Sequence, residues 1–289
     1  MGAHISTRMR HVVQALVTIA YNPHVANFVT GHIYRGQTKS LCVPGLNCYS
    51  CPAAMGACPV GSLQSFLAGA VPRFPAYVIG LIALFGFVLG RVVCGWGCPF
   101  GLLQEILYKL PTPKVRKSRV TFFLSRMKYV WAALFVVVLP LVFWFVFSAG
   151  EPTFCKYICP AGTLEGAVPI FLANEKMRSA AGLITAWKFA VMLAFLALMV
   201  FLFRPFCRFV CPLGAAYGMF NRHAIFGIKV DNTKCISCGE CARLCKMDTR
   251  VAGDAECVSC GDCVGACPTG AIHFGGVRKR GEAAAMSNR

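Results

Sequence analysis

The chain has 289 residues, of which 57% are hydrophobic and only 14% charged, with a mean hydropathy of +0.61. Such values exclude an ordinary water-soluble domain and predict a membrane protein whose first partner is lipid. The formal net charge of +18 invites a nucleic-acid reading, but its distribution along the chain argues for no nucleic-acid partner.

The apolar stretches come first in chain order. Met1-Gly2-Ala3-His4-Ile5-Ser6 matches a myristoylation pattern by chance. His11 to Val29 reads as a bent first span, because Asn22, Pro23 and His24 interrupt it. No small-x-small cleavage site follows it, so a signal peptide is not expected. Ala76 to Val93 reads as a second span, with Arg91 at one end where it can snorkel. Tyr129 to Gly150 holds no charged residue and is long enough to cross about 30 Å of hydrocarbon. Ile184 to Phe203 is the fourth, with Lys188 near one end and Arg204 at the other. The expected membrane domain is therefore residues 1–228, all-α, with four transmembrane helices.

Charge sorts the connections. Lys109, Lys114, Arg116, Lys117, Arg119, Arg126 and Lys128 crowd one loop, and the chain after Arg204 is also basic. The 31–73 segment has only Arg35, Lys39 and Arg73, and 151–176 offsets its cations with Glu151, Glu165 and Glu175. By the positive-inside rule both termini and the 109–128 loop are cytoplasmic, and 31–73 and 151–183 lie outside.

Ten cysteines punctuate these spans. Cys94-Gly-Trp-Gly-Cys98-Pro99, Cys155-Lys-Tyr-Ile-Cys159-Pro160 and Cys207-Arg-Phe-Val-Cys211-Pro212 repeat one turn, and Gly101, Gly162 and Gly214 follow two residues after each Pro. An earlier variant reads Cys48-Tyr-Ser-Cys51-Pro52, then Cys58-Pro59-Val-Gly61. The unit is an internal repeat of span, cysteine turn and short helix. Pro suits the first helical position, which puts the thiol at a helix N-terminus, where the dipole favours thiolate, the form that binds iron or attacks a disulfide. The topology groups Cys94, Cys98, Cys207 and Cys211 at the inner face. It groups Cys48, Cys51, Cys58, Cys155 and Cys159, with Cys42 as an extra, at the outer face, where disulfides compete with a cluster. Each face then has the four thiolates that one iron–sulfur cluster needs.

A ladder closes the chain: Cys235-x2-Cys238-x2-Cys241-x3-Cys245, then Cys257-x2-Cys260-x2-Cys263-x3-Cys267-Pro268. Three thiolates at this spacing wrap one face of an iron–sulfur cube, and the fourth reaches the neighbouring cube. Zinc also uses Cys-x2-Cys pairs but has no use for the third and fourth cysteine of each run. Residues 229–275 resemble bacterial-type ferredoxins with two [4Fe–4S] clusters. That resemblance implies an α+β domain with Cys235, Cys238, Cys241 and Cys267 on one cluster, and Cys257, Cys260, Cys263 and Cys245 on the other. Lys246 stands where that family usually has Pro. Residues 276–289, with Arg278, Lys279 and Arg280, read as a basic flexible tail.

Together the motifs resemble the NapH/NosR-type membrane 4Fe–4S proteins, in which Cys-x3-Cys-Pro turns follow transmembrane helices and a two-cluster ferredoxin closes the chain. The positions that carry the likeness are Cys94, Cys98, Cys207, Cys211 and the eight ladder cysteines. The Cys42–Pro59 stretch and the Cys155/Cys159 turn go beyond it, and look like a branch working with an extracytoplasmic flavin-binding partner. The resemblance implies a multi-pass protein of a prokaryotic plasma membrane with its ferredoxin domain in the cytoplasm. The expected role is iron–sulfur electron transfer between that domain and the membrane or its outer face, as one component of an oxidoreductase system. Redox partner proteins and quinone are the expected partners. A quinol dehydrogenase feeding a reductase, and a redox-sensing or metallocentre-assembly protein, are the alternatives. No residue pattern suggests acid–base or nucleophilic catalysis. His11, His24 and His32 are weighed as quinone or haem contacts and read as interface residues; His223 and His273 read as surface residues.

Overall fold

The computed structural model describes residues 7–69, 74–148 and 150–275. The Met1–Ser6 pattern, Arg73 and the tail from Gly276 lie outside the described residues. Among the described residues two helices are long and apolar enough to cross a membrane: Arg119–Phe147, with 29 residues, and Leu183–Phe201, with 19. The first starts at Arg119 rather than Tyr129, because Ser118 and Thr121 form a capping box. Phe145, Val146, Phe147, Leu183 and Leu193 all point outward, the arrangement expected of side chains facing an apolar solvent.

Mid-helix, Ala133–Val138 widens to a π turn. This frees the Phe135 carbonyl to accept from Gln64 Nε2 at 2.8 Å and Thr153 Oγ1 at 2.6 Å. The widened turn thereby pins the two loops that carry cysteines on that side.

The other expected spans are shorter. Ala76–Val88 has 13 residues, roughly 20 Å at 1.5 Å per residue. It stops at Gly90, whose φ of 51° places Asn221 and Ala224 where a Cβ would sit. Arg91, expected to snorkel at the end of this span, is instead wholly buried. The reason is that Glu256 and two backbone carbonyls replace its water. Thr7–Tyr21 has 15 residues, buries Arg10 and Gln14, and ends ahead of Pro23; a four-residue helix, Asn27–Thr30, follows.

The loop from 31 to 58 folds into the protein. Asn47, Cys51, Ala53 and Ala54 are fully buried. Its backbone is satisfied internally, by Val43 N–H to Ala57 O at 3.0 Å and Met55 N–H to Tyr21 O at 2.9 Å, as irregular chain must be when shielded from water. A Cβ on Gly45 would stand 2.8 Å from the Gly97 carbonyl. Segments that charge counting assigns to opposite faces therefore meet.

After the last long helix, Gly227–Val230 pairs antiparallel with Ile272–Gly275 in the register Ile228↔Phe274. This ribbon and the short helix Glu240–Leu244 frame the cysteine ladder. Ser237 and Ser259, each just before the second cysteine of its run, share positive φ values of 56° and 50°. Gly239 and Gly261, just after those cysteines, share it too, at 73° and 89°. The two runs thus repeat one turn conformation, which the paired Ser-Cys-Gly strings announce.

Candidate functional site

Four cysteines sit as N-caps in front of a helix-opening proline: Cys58, Cys98, Cys159 and Cys211. The expected thiolate bias does not survive burial. The Val60 and Gly61 N–H groups favour the Cys58 thiolate, yet burial pushes that thiol up to about 11. Burial likewise pushes the Cys159 thiol to about 12. A buried thiol of this kind gives up its proton to a cationic metal centre rather than to water.

The repeats combine in alternation, second with fourth and first with third. Cys94, Cys98, Cys207 and Cys211 line a single small pocket, with Pro44, Gly45 and Leu46 as one wall. Gln104 donates to Cys207 Sγ at 3.0 Å and accepts from Phe206 N–H at 3.2 Å. The Gly214 N–H donates to Cys211 Sγ at 3.4 Å. Cys48, Cys58, Cys155 and Cys159 lie within electrostatic reach of one another. Gly162 holds open the space beside Cys48 Sγ, and Gly61 that beside Cys155 Sγ. Cys51 turns toward Asn22 and Cys42 toward the Ser62 hydroxyl. None of the eighteen cysteines is paired in a disulfide.

In the ladder, Cys241, Cys245, Cys257, Cys260 and Cys263 border one cavity that Phe203 and Val258 close. Cys235 and Cys238 are exposed. Among the described residues no three His, Cys, Asp or Glu side chains gather tightly enough to hold one metal ion. A lone zinc draws its sulfurs to about 2.3 Å from itself; a cube of four irons spreads them over its corners. Cys94, Cys98, Cys207 and Cys211 around one pocket offer the number of thiolates that such a cube takes.

Trp96 Nε1 donates to the Ser259 carbonyl at 3.0 Å, and Asn221 to the Asp254 and Cys257 carbonyls at 2.6 and 3.0 Å. Gly95 lies so close to the Val258 carbonyl that no Cβ fits between them. Arg208 pairs with Asp248 at 2.7 Å, both buried. Tyr217, fully buried, donates to the Pro44 carbonyl at 3.0 Å and stands within electrostatic reach of Cys58, Cys94 and Cys98. One buried cluster consequently contains Cys58 and Cys159, Cys94, Cys98 and Cys211, Tyr217 and Val258, with Cys245 and Cys260 packed against it.

Charge around the two helical sites differs. Arg204 donates to Glu105 at 2.8 Å and to the Cys94 carbonyl at 2.6 Å. Burial would raise the Glu105 carboxyl, but Arg204, Arg10 and His11 overrule it and hold the group down at about 2. Glu256 is likewise held below the usual range, against its own burial, by Arg91 and Lys128. Among the described residues no such cation pairs with Glu165, which accepts from the Cys48 N–H at 2.8 Å, so burial lifts it to about 7. His11 is engaged with Glu105 at 2.7 Å, and His24 stacks on Tyr34 at 4.1 Å.

Sequence reasoning placed Arg91 and Arg204 only at span ends and gave Gln104 and Gln64 no role at the site. The signal was present: both arginines stand three residues before the first cysteine of their turn, and both glutamines six residues after a Cys-Pro cysteine. Gln64 accepts from the Cys155 N–H at 3.1 Å, matching the link from Gln104 to Phe206.

Residues 71–118, 129–168 and 185–231 match one model of a 4Fe-4S binding domain, and 254–273 match another. The chain is 30% identical to an uncharacterized protein of Methanocaldococcus jannaschii over 197 residues, 67% of this chain and 74% of that one. It is 30% identical to the regulatory protein NosR of Pseudomonas aeruginosa over 54% of this chain and 20% of that one. It is 29% identical to the ferredoxin-type protein NapH of Haemophilus influenzae over 57% of this chain and 51% of that one. No solved structure matches.

Proposed function

We propose, from the premise that this chain belongs to the NapH/NosR-type family of ferredoxin-type proteins with 4Fe-4S binding domains, that it is a transmembrane electron conduit. Electrons enter or leave at the exposed Cys235/Cys238 end of a cytoplasmic ferredoxin domain. They pass through the site of Cys245, Cys257, Cys260 and Cys263 to that of Cys94, Cys98, Cys207 and Cys211, then to that of Cys48, Cys58, Cys155 and Cys159. Iron–sulfur clusters supply the one-electron chemistry when bound. The chain supplies thiolates, a water-free path and fixed charge.

The observation that carries this reading is the single buried cluster joining cysteines of three sites through Tyr217 and Val258. A sensor or assembly protein needs reactive thiols at its surface; here the cysteines of both helical sites are buried or half-buried, packed end to end. The multi-pass arrangement in a prokaryotic plasma membrane, with four spans and both termini inside, belongs to the same proposal. The two apolar helices and the basic 109–128 loop support it. An external flavin-binding protein or quinone as the far partner is a further part of the proposal.

The test uses the full chain in sealed vesicles, oriented with the ferredoxin domain outward. Dithionite is added outside and a trapped one-electron acceptor is read inside. The conduit predicts reduction of the acceptor, abolished by Cys98→Ser with Cys211→Ser. Fast oxidation and reduction of the protein without transfer to the lumen would favour the sensing alternative, for which a relative called the regulatory protein NosR is the precedent.

A further inference from the structure

The two arginines that precede the inner turns cross over. Arg91, at the start of the Cys94/Cys98 turn, donates to the carbonyl of Cys207 at 3.4 Å. Arg204, at the start of the Cys207/Cys211 turn, donates to the carbonyl of Cys94. Each passes over the glycine that follows the other turn: a Cβ on Gly214 would stand 3.5 Å from Arg91 Nη2, and one on Gly101 would stand 3.3 Å from Arg204 Nη1. Both guanidinium groups are completely buried. Arg91 also stands within electrostatic reach of the Cys94 thiol, while its Nε is a buried donor with no protein partner among the described residues.

Each arginine shares its carboxylate with a second cation. Glu105 serves Arg204 and Arg10, and Glu256 serves Arg91 and Lys128. Each group of three therefore carries a net positive charge against the cavity of the four thiols. The other helical site is charged differently: Pro152 occupies the position three before Cys155, Glu165 is the carboxyl at the Cys48 N–H, and the cations within electrostatic reach of its thiols among the described residues are Lys39 and Lys188, with no guanidinium pair crossing the turns.

We propose that Arg91 and Arg204 form a crossed pair of fixed charges that makes the Cys94/Cys98/Cys207/Cys211 site the more easily reduced of the two helical stations. This rests on the conduit reading. Adding an electron makes a thiolate-bound centre more negative, and a cation fixed in a low-dielectric surround favours that state more than water would. The electron comes from a neighbouring station and leaves to the next; no bond is made or broken. The two arginines are positioning residues, acting on the centre through charge and through the backbone of its ligands.

The experiment is a potentiometric titration of the full chain in detergent, followed by electron paramagnetic resonance. The signal of the inner site is the one lost in Cys98→Ser with Cys211→Ser. Arg204→Gln leaves Glu105 paired with Arg10, and is expected to lower the reduction constant of that signal at least tenfold, which is 59 mV for one electron. The other signals stay in place, and Arg204→Lys keeps most of the wild-type value. Should Arg204→Gln fail to fold, Arg91→Gln removes the matching charge while Lys128 still holds Glu256, and the same shift is expected. A loaded inner site whose potential ignores the loss of either charge overturns the inference alone. So does an equal movement of all signals. A wild-type protein with no iron lost in the double serine variant overturns the conduit reading and the inference with it.

Discussion

The two helical cysteine sites share a scaffold and differ in charge. In each, a turn of Cys, Pro and Gly opens a helix, the glycine admits a group from the partner turn, and a glutamine six residues on ties down that partner's backbone. At the inner site the glycines admit guanidinium groups; at the outer one they admit thiols. Duplication of one unit thus preserves the geometry that holds a ligand set, while single side chains beside it set the electrostatics. The lesson is that a repeat is informative about where sulfur goes, and its exceptions about what the sulfur is asked to do.

The largest effect that separates the sites comes from removing thiols in pairs. Cys98→Ser with Cys211→Ser should lose about four irons per chain and leave the outer site loaded; Cys58→Ser with Cys159→Ser should do the reverse. Loss at both sites in either variant would merge them into one centre.

Next comes the carboxylate behind the inner site. Glu105→Gln leaves Arg10 and Arg204 buried without their anion, at a cost on the order of 3–5 kcal/mol in thermal or urea unfolding. The sign with pH follows from its depressed value. The folded group sits at about 2 against an ordinary value of about 4.3. Its contribution is therefore present above that ordinary value and lost as pH falls toward 2. The Gln variant should show none of that acid loss.

The smallest contrast is between matching glycines. A methyl at Gly101 meets the Cys94 carbonyl at 3.1 Å and Arg204 at 3.3 Å, whereas one at Gly162 finds only the Cys48 sulfur, at 3.5 Å. Gly101→Ala should cost about 1 kcal/mol by overpacking. Gly162→Ala should be neutral or slightly favourable, since Ala suits a helix better than Gly. Equal effects on melting temperature would show that the glycines play no distinct roles.

Much of this was legible in the sequence because it rests on local spacing. The ladder, the Cys-Pro turns and the apolar runs at 129–150 and 184–203 are short-range patterns, and the structure places helices at both runs. What escaped depends on distant partners. Arg91 reads as a snorkelling residue until Glu256, far along the chain, is seen to hold it. The Cys-Pro thiols read as thiolate-prone until the neighbours that bury them are in place. The 31–73 segment reads only as lying outside the membrane until the backbone of its 31–58 part is found bonded to itself and to Tyr21. The Arg-x2-Cys and Cys-Pro-x4-Gln spacings were readable and show that polar residues flanking a ligand turn carry as much information as the ligands.

The central claim is that four stations are joined in one chain, and the most direct test is iron and acid-labile sulfide per chain on protein purified without oxygen. The account predicts about sixteen irons with as many sulfides. About eight would mean that only the Cys235–Cys267 ladder is loaded, and would contradict it.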